Sequence, residues 1–135
     1  MNLSNDNIKH LYELGEEEYF IGNWNTAIDY FQKIVFIFPD HVPSLLYLGR
    51  TYQKLGSNYA QTAIDEFNKA IQLQPDNTVA HYMKGFVLLY DLYEYENAII
   101  CFQKVLELDS TLIEAKNQIL EAEYMIVGNK KTNVW

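Results

Sequence analysis

Apolar positions in this chain fall at three- and four-residue steps along most of its length, the spacing that lines one face of a helix. Leu11, Leu14, Gly15 and Tyr19 form one such stripe, and Leu45, Leu48, Gly49 and Tyr52 form another. A second stripe follows each of them: Ala27, Phe31, Ile34 and Phe38 after the first, Ala63, Phe67, Ala70 and Leu73 after the second. Between the paired stripes stand Gly22 and Gly56, suited to the left-handed conformation that ends a helix. The pattern predicts helical hairpins.

The hairpins repeat. Ala27-Ile28-Asp29-Tyr30-Phe31-Gln32-Lys33 recurs as Ala63-Ile64-Asp65-Glu66-Phe67-Asn68-Lys69 and as Ala98-Ile99-Ile100-Cys101-Phe102-Gln103-Lys104, at offsets of 36 and 35 residues. A glycine precedes each block (Gly15, Gly49, Gly85), and Pro39-Asp40, Pro75-Asp76 and Asp109-Ser110 follow. Three units therefore succeed one another, at about 8–41, 42–77 and 78–112. The third has no glycine in its turn near Tyr93 to Glu96. Pro43 suits the first turn of a helix, with Asp40 or His41 just before it. Thr111 and Glu114 read as a capping box for a seventh helix over about 112–127 that ends near Gly128. That helix has no hairpin partner, so its expected role is to cap the last unit. Residues 1–128 are expected to form a single domain and 129–135 a flexible tail, with Asn133-Val134-Trp135 a frayed end rather than a docking signal.

Composition narrows the classes of function. Hydrophobic residues make up 49%, aromatics 15% and charged residues 21%, a globular balance. Ten basic residues against 18 acidic ones give a net charge of −8, which repels a phosphate backbone and argues against nucleic acid as a partner. The longest apolar runs, such as Ile34 to Phe38, are far too short to span a bilayer, and Met1 to Asp6 carries no signal-peptide pattern. The cytoplasm is then the default compartment.

No catalytic constellation emerges. The glycines belong to packing and turns, so no phosphate loop is present. His10, His41 and His81 lie in different units, and the His10 and Glu13 pair reads as a solvated surface pair, not a metal site. Cys101, the single cysteine, excludes an internal disulfide and reads as a half-buried thiol next to a core phenylalanine. Neither enzyme activity nor a cofactor nor a metal is expected.

Units of 34 to 36 residues with glycine in the first helix, alanine then phenylalanine in the second, and proline at the junction resemble the tetratricopeptide repeat from Ile8 to about Leu112. Glu18, His81 and Ser110 depart from its usual residues. The resemblance implies an all-α, right-handed superhelical stack of three helix-turn-helix hairpins with a seventh, C-terminal capping helix. It also implies a non-enzymatic protein-protein interaction module (adaptor, scaffold or chaperone) whose first helices line a concave groove.

Helix geometry names that lining: Tyr12, Glu16, Tyr19 and Phe20; Leu46, Tyr47, Arg50, Gln53 and Lys54; Tyr82, Met83, Phe86, Leu89 and Tyr90. Half are aromatic, so the expected partner is an apolar or amphipathic protein segment. The alternative is a structural subunit of a larger complex or a self-associating assembly, with the groove permanently filled. One branch of the family holds the acidic C-termini of heat-shock chaperones in a carboxylate clamp; the corresponding positions here are Tyr12, Glu16, Tyr47, Val79 and Met83, and none fits. Glu16-Glu17-Glu18 reads as a solvated face or as a complement to a basic segment. Arg50, the only arginine, suits a partner carboxylate, a stack on Tyr47 or Tyr82, or an internal pair with Glu16.

Overall fold

The computed structural model describes residues 4–132, which form seven α-helices and no strand among the described residues. The chain divides into two compact units, Met1–Pro75 and Asp76–Trp135. The first holds α1 (Asn5–Ile21), α2 (Trp24–Ile37), α3 (Val42–Leu55) and α4 (Ala60–Leu73). The second holds α5 (Thr78–Tyr90), α6 (Tyr95–Leu108) and α7 (Ile113–Thr132). Helices α1 and α2, α3 and α4, and α5 and α6 pair as hairpins, and α7 packs on α6.

One device closes all three hairpins. A Cβ added at Gly15 would lie 2.7 Å from the Phe31 ring, one at Gly49 2.5 Å from Phe67, and one at Gly85 3.0 Å from Phe102. Each phenylalanine is fully buried, so the ring fills the space that the missing side chain leaves, and the two helices approach until ring meets backbone. Ala27, Ala63 and Ala98, also fully buried, keep the second helices equally close.

Helix ends show where local chemistry matters. Ser4 caps α1, its Oγ accepting from the Asn7 N–H. Gly22 (φ 92°) ends α1, and the Asn23 N–H reaches back to the Glu18 carbonyl at 2.9 Å. At α3 the cap is His41, whose Nδ1 faces both the Ser44 N–H and its hydroxyl. Burial lowers the His41 pKa, favouring the neutral ring whose nitrogen can accept. The second unit has two more residues between Gly49 and Ala63 than the first has between Gly15 and Ala27, and its turn contains a short 3₁₀ segment, Ser57–Tyr59, after Gly56.

The third hairpin turns without glycine by placing Tyr93 itself in the left-handed region, φ 57°. The Glu94 N–H then reaches the Leu88 carbonyl at 2.8 Å. A left-handed tyrosine costs about 1 kcal/mol or more, and its ring is two-thirds exposed with little packing in return. Tyr93→Gly should therefore raise stability by about 0.5–1 kcal/mol, read as a higher urea midpoint at unchanged slope.

Two expectations at the C-terminal end are corrected. Thr111 does not cap α7: its N–H and hydroxyl both donate to Asp109 Oδ1, at 3.0 and 2.6 Å, and the helix begins at Ile113. Nor does Gly128 end the helix, which continues to Thr132 and so includes the first part of the expected tail. A glycine stops a helix only when it takes a left-handed φ, and Gly128 does not; Lys130 and Lys131 suit the negative end of the helix dipole. Asn133, Val134 and Trp135 lie outside the described residues. No helix among the described residues is long and apolar enough to cross a membrane.

Candidate partner-binding face

In the first unit the residues expected to line a groove converge on Tyr47. Its ring stacks on Phe31 at 4.8 Å and 6°, and the edges of Tyr12 and Tyr19 meet it at 5.7 and 5.2 Å. One side of the buried Phe31 ring is met by the Gly15 backbone, and Tyr47 stacks on the same ring. The Tyr47 hydroxyl donates to Glu16 Oε1 at 2.9 Å, and Tyr12 lies close enough to feel the charge of the same carboxylate. Burial, together with the neighbouring Glu16 charge, pushes both tyrosines up to about 12.

Arg50 lies over this cluster, its guanidinium carbon 5.5 Å from the Tyr19 ring centroid and 5.6 Å from that of Tyr47. Its Nε is buried without a hydrogen-bond partner, and among the described residues no carboxylate approaches it within 4.0 Å. The expected pair with Glu16 is thus not formed, whereas the stack on Tyr47 is, and the Glu16 carboxylate accepts from the Tyr47 hydroxyl instead.

Burial sorts the remaining positions. Tyr19 is only 7% exposed and belongs to the core with Trp24 and Tyr47, so it is corrected from groove lining to packing. Phe20, one residue on, is 74% exposed. Leu46, Arg50 and Gln53 are half-buried and Lys54 is exposed. Beside Phe20, a shallow recess is lined by Glu13, Glu16, Glu17, Phe20 and Ile21. A second cleft, at the start of α1, is lined by Ile8, Lys9, Tyr12, Phe38 and His41 among others. Sequence reasoning missed it, although Lys9 precedes Tyr12 and Glu16 on the same helix stripe.

In the second unit Tyr82 meets the buried Phe102 edge-on at 5.6 Å, and Phe86 lies 4.6 Å from Tyr90. Met83 and Phe86 are half-buried. Leu89 is 3% exposed and is corrected to core: it lies one helical turn after Gly85 and is buried with Val87 and Leu88. The Tyr90 hydroxyl donates to Glu121 of α7 at 2.6 Å, which fixes one rim of this face. Cys101 is buried, and burial pushes its thiol pKa up.

Comparison with known proteins agrees with this architecture. The tetratricopeptide repeat profile matches residues 79–112. Superkiller protein 3 of Saccharomyces cerevisiae is 35% identical over 81 residues, which is 60% of this chain but 5% of that protein's length. The first TPR of Spaghetti (RPAP3) bound to the HSP90 peptide SRMEEVD superposes with a TM-score of 0.85 at 22% identity, covering 94% of this chain and 98% of that one. MamA superposes with a TM-score of 0.82 at 28% identity, covering 90% and 69%. The three glycine-to-phenylalanine hairpins give this chain the all-α helical repeat stack of these tetratricopeptide repeat structures, and its third hairpin matches the tetratricopeptide repeat profile.

Proposed function

We propose that the protein is a non-enzymatic interaction module whose first-helix faces take an apolar or amphipathic segment of a partner protein. The observation that carries this reading is Phe20, 74% exposed, whose ring lies 5.3 Å from that of Tyr19, which in turn meets Tyr47 and Arg50. An apolar ring beside a rigid aromatic surface presents contact area at little entropic cost, the usual composition of a binding hot spot. Leu46, Lys54 and Gln53 extend the face in the first unit; Tyr82, Met83, Phe86 and Tyr90 form its counterpart in the second.

The structurally similar Spaghetti domain is bound to a peptide ending in acidic residues. Here a carboxylate arriving between Tyr12 and Tyr47 would meet the Glu16 charge, so the same ligand chemistry is disfavoured. Arg50 remains available to orient a passing acidic or carbonyl group of an otherwise apolar segment.

Selection of displayed random peptides on the intact chain tests this. Peptides rich in large apolar residues should be recovered, and Phe20→Glu should weaken them by about tenfold or more, as loss of an aromatic anchor does. Ile100→Glu, at an exposed site on α6, should leave them unchanged. Recovery of acidic C-terminal peptides, or indifference to Phe20→Glu, would overturn the reading.

A further inference from the structure

Helix α7 meets its own unit through one face. Ala115 and Ala122 are fully buried, seven residues apart. On the opposite side Ile113, Leu120, Tyr124 and Val127 are 63, 64, 76 and 52% exposed. They do not scatter around the helix: Ile113, Leu120 and Val127 recur every seven residues, and Asn117, Tyr124 and Lys131 follow each by four. That is a heptad seam, with the first three at d, the second three at a, and the buried alanines at f, diametrically away from it.

The seam does not suit another hairpin partner of the kind found within the chain. Helix α5 begins 35 residues before α7, so Leu120 occupies the register of Gly85, the position that seats Phe102. With leucine there, a phenylalanine-bearing second helix has no seat. A helix with its own heptad spacing does fit, because it meets projecting side chains with gaps at the same interval.

Charge selects the occupant. Helix α7 carries Glu114, Glu121 and Glu123 against Lys116, Lys130 and Lys131, and so is neutral in a chain of net charge −8. Two copies can approach along α7 without the repulsion that the rest of the surface imposes. When two such helices run parallel and in register, Lys116 at g lies opposite Glu121 at e of the other copy, twice over by symmetry. Asn117 then faces its own counterpart, a polar layer of the kind that fixes register in parallel pairs, while Lys131 lies beyond the last apolar layer, Val127. We propose that the heptad face of α7 is a self-association surface, on which α7 of a second copy packs parallel and in register. The seam spans under three heptads, so the pairing is weak and depends on concentration.

Sedimentation equilibrium of the full chain over about a hundredfold range of concentration tests it. The mass should rise from monomer toward dimer. The Leu120→Glu, Tyr124→Glu double variant should stay monomeric with unchanged helicity, since both side chains are exposed. In a Cys101→Ala background, Asn117→Cys should cross-link between copies on mild oxidation, which requires the two Cα atoms within about 7 Å. A monomer at every concentration, a dimer that survives the double variant, or a failure of Asn117→Cys to cross-link would each overturn the proposal. All of these readouts are independent of the Phe20 face.

Discussion

Replacing Phe67 by alanine should destabilise the protein by about 3–5 kcal/mol, seen as a large drop in the urea midpoint of the helical circular dichroism signal. The ring has no solvent exposure and lies against the bare Cα of Gly49, so its removal leaves a cavity that two facing helix backbones cannot collapse into. With total stabilities of about 5–15 kcal/mol for a domain, such a loss brings the hairpin near the limit of folding. The converse variant tests the same contact from the other side. Gly49→Ala gains about 1 kcal/mol in helix propensity but pushes a methyl to 2.5 Å from a ring with nowhere to move, and a net destabilisation of about 1–2 kcal/mol is expected. Adding Phe67→Leu to Gly49→Ala should make the double variant less damaged than the sum of the two, with a coupling of at least about 0.5 kcal/mol. Strict additivity would show that glycine is there for some other reason.

Tyr47→Ala should destabilise the first unit by about 2–4 kcal/mol, because one side chain supplies a stacked ring for Phe31, edge contacts for Tyr12 and Tyr19, a platform for Arg50 and a donor for Glu16. Tyr47→Phe keeps everything except the hydroxyl and should cost only about 1 kcal/mol. Trp24, whose ring lies 5.4 Å from Tyr19, gives a local fluorescence probe of this cluster in a Trp135→Phe background. If alanine and phenylalanine behave alike, the hydrogen bond and not the aromatic packing holds the face together. Tyr47 is consequently a poor residue with which to test partner binding, since its loss would disturb the surface from beneath; Phe20 separates the two effects.

The hairpins were legible because the glycine and phenylalanine positions repeat at nearly constant offsets, and a close helix approach has few other solutions. Tyr19 and Leu89 were misplaced for a related reason. On a first helix the core stripe and the free stripe lie about one residue apart, some 100° of rotation, and a tyrosine or leucine is apolar enough for either. Phe20, next in sequence to Tyr19, fell on the other side of that boundary. The end of α7 was misread because a lone glycine signals a stop only through its backbone angle, which composition does not carry. Tyr93 is the opposite case, a left-handed turn residue that no residue type announced. The outward seam of α7 was open to view as a seven-residue recurrence, but a capping role directs attention to the face that is covered.

Arg50 stands alone among this chain's residues in a way that reaches beyond packing. As the sole guanidinium, it is the one site at which a dicarbonyl reagent selective for arginine can form an adduct, so modification yields a single mass increment rather than a distribution. Because the group rests on Tyr19 and Tyr47 with no carboxylate within 4.0 Å among the described residues, its labelling rate becomes a direct chemical readout of whether anything occupies the first unit's face.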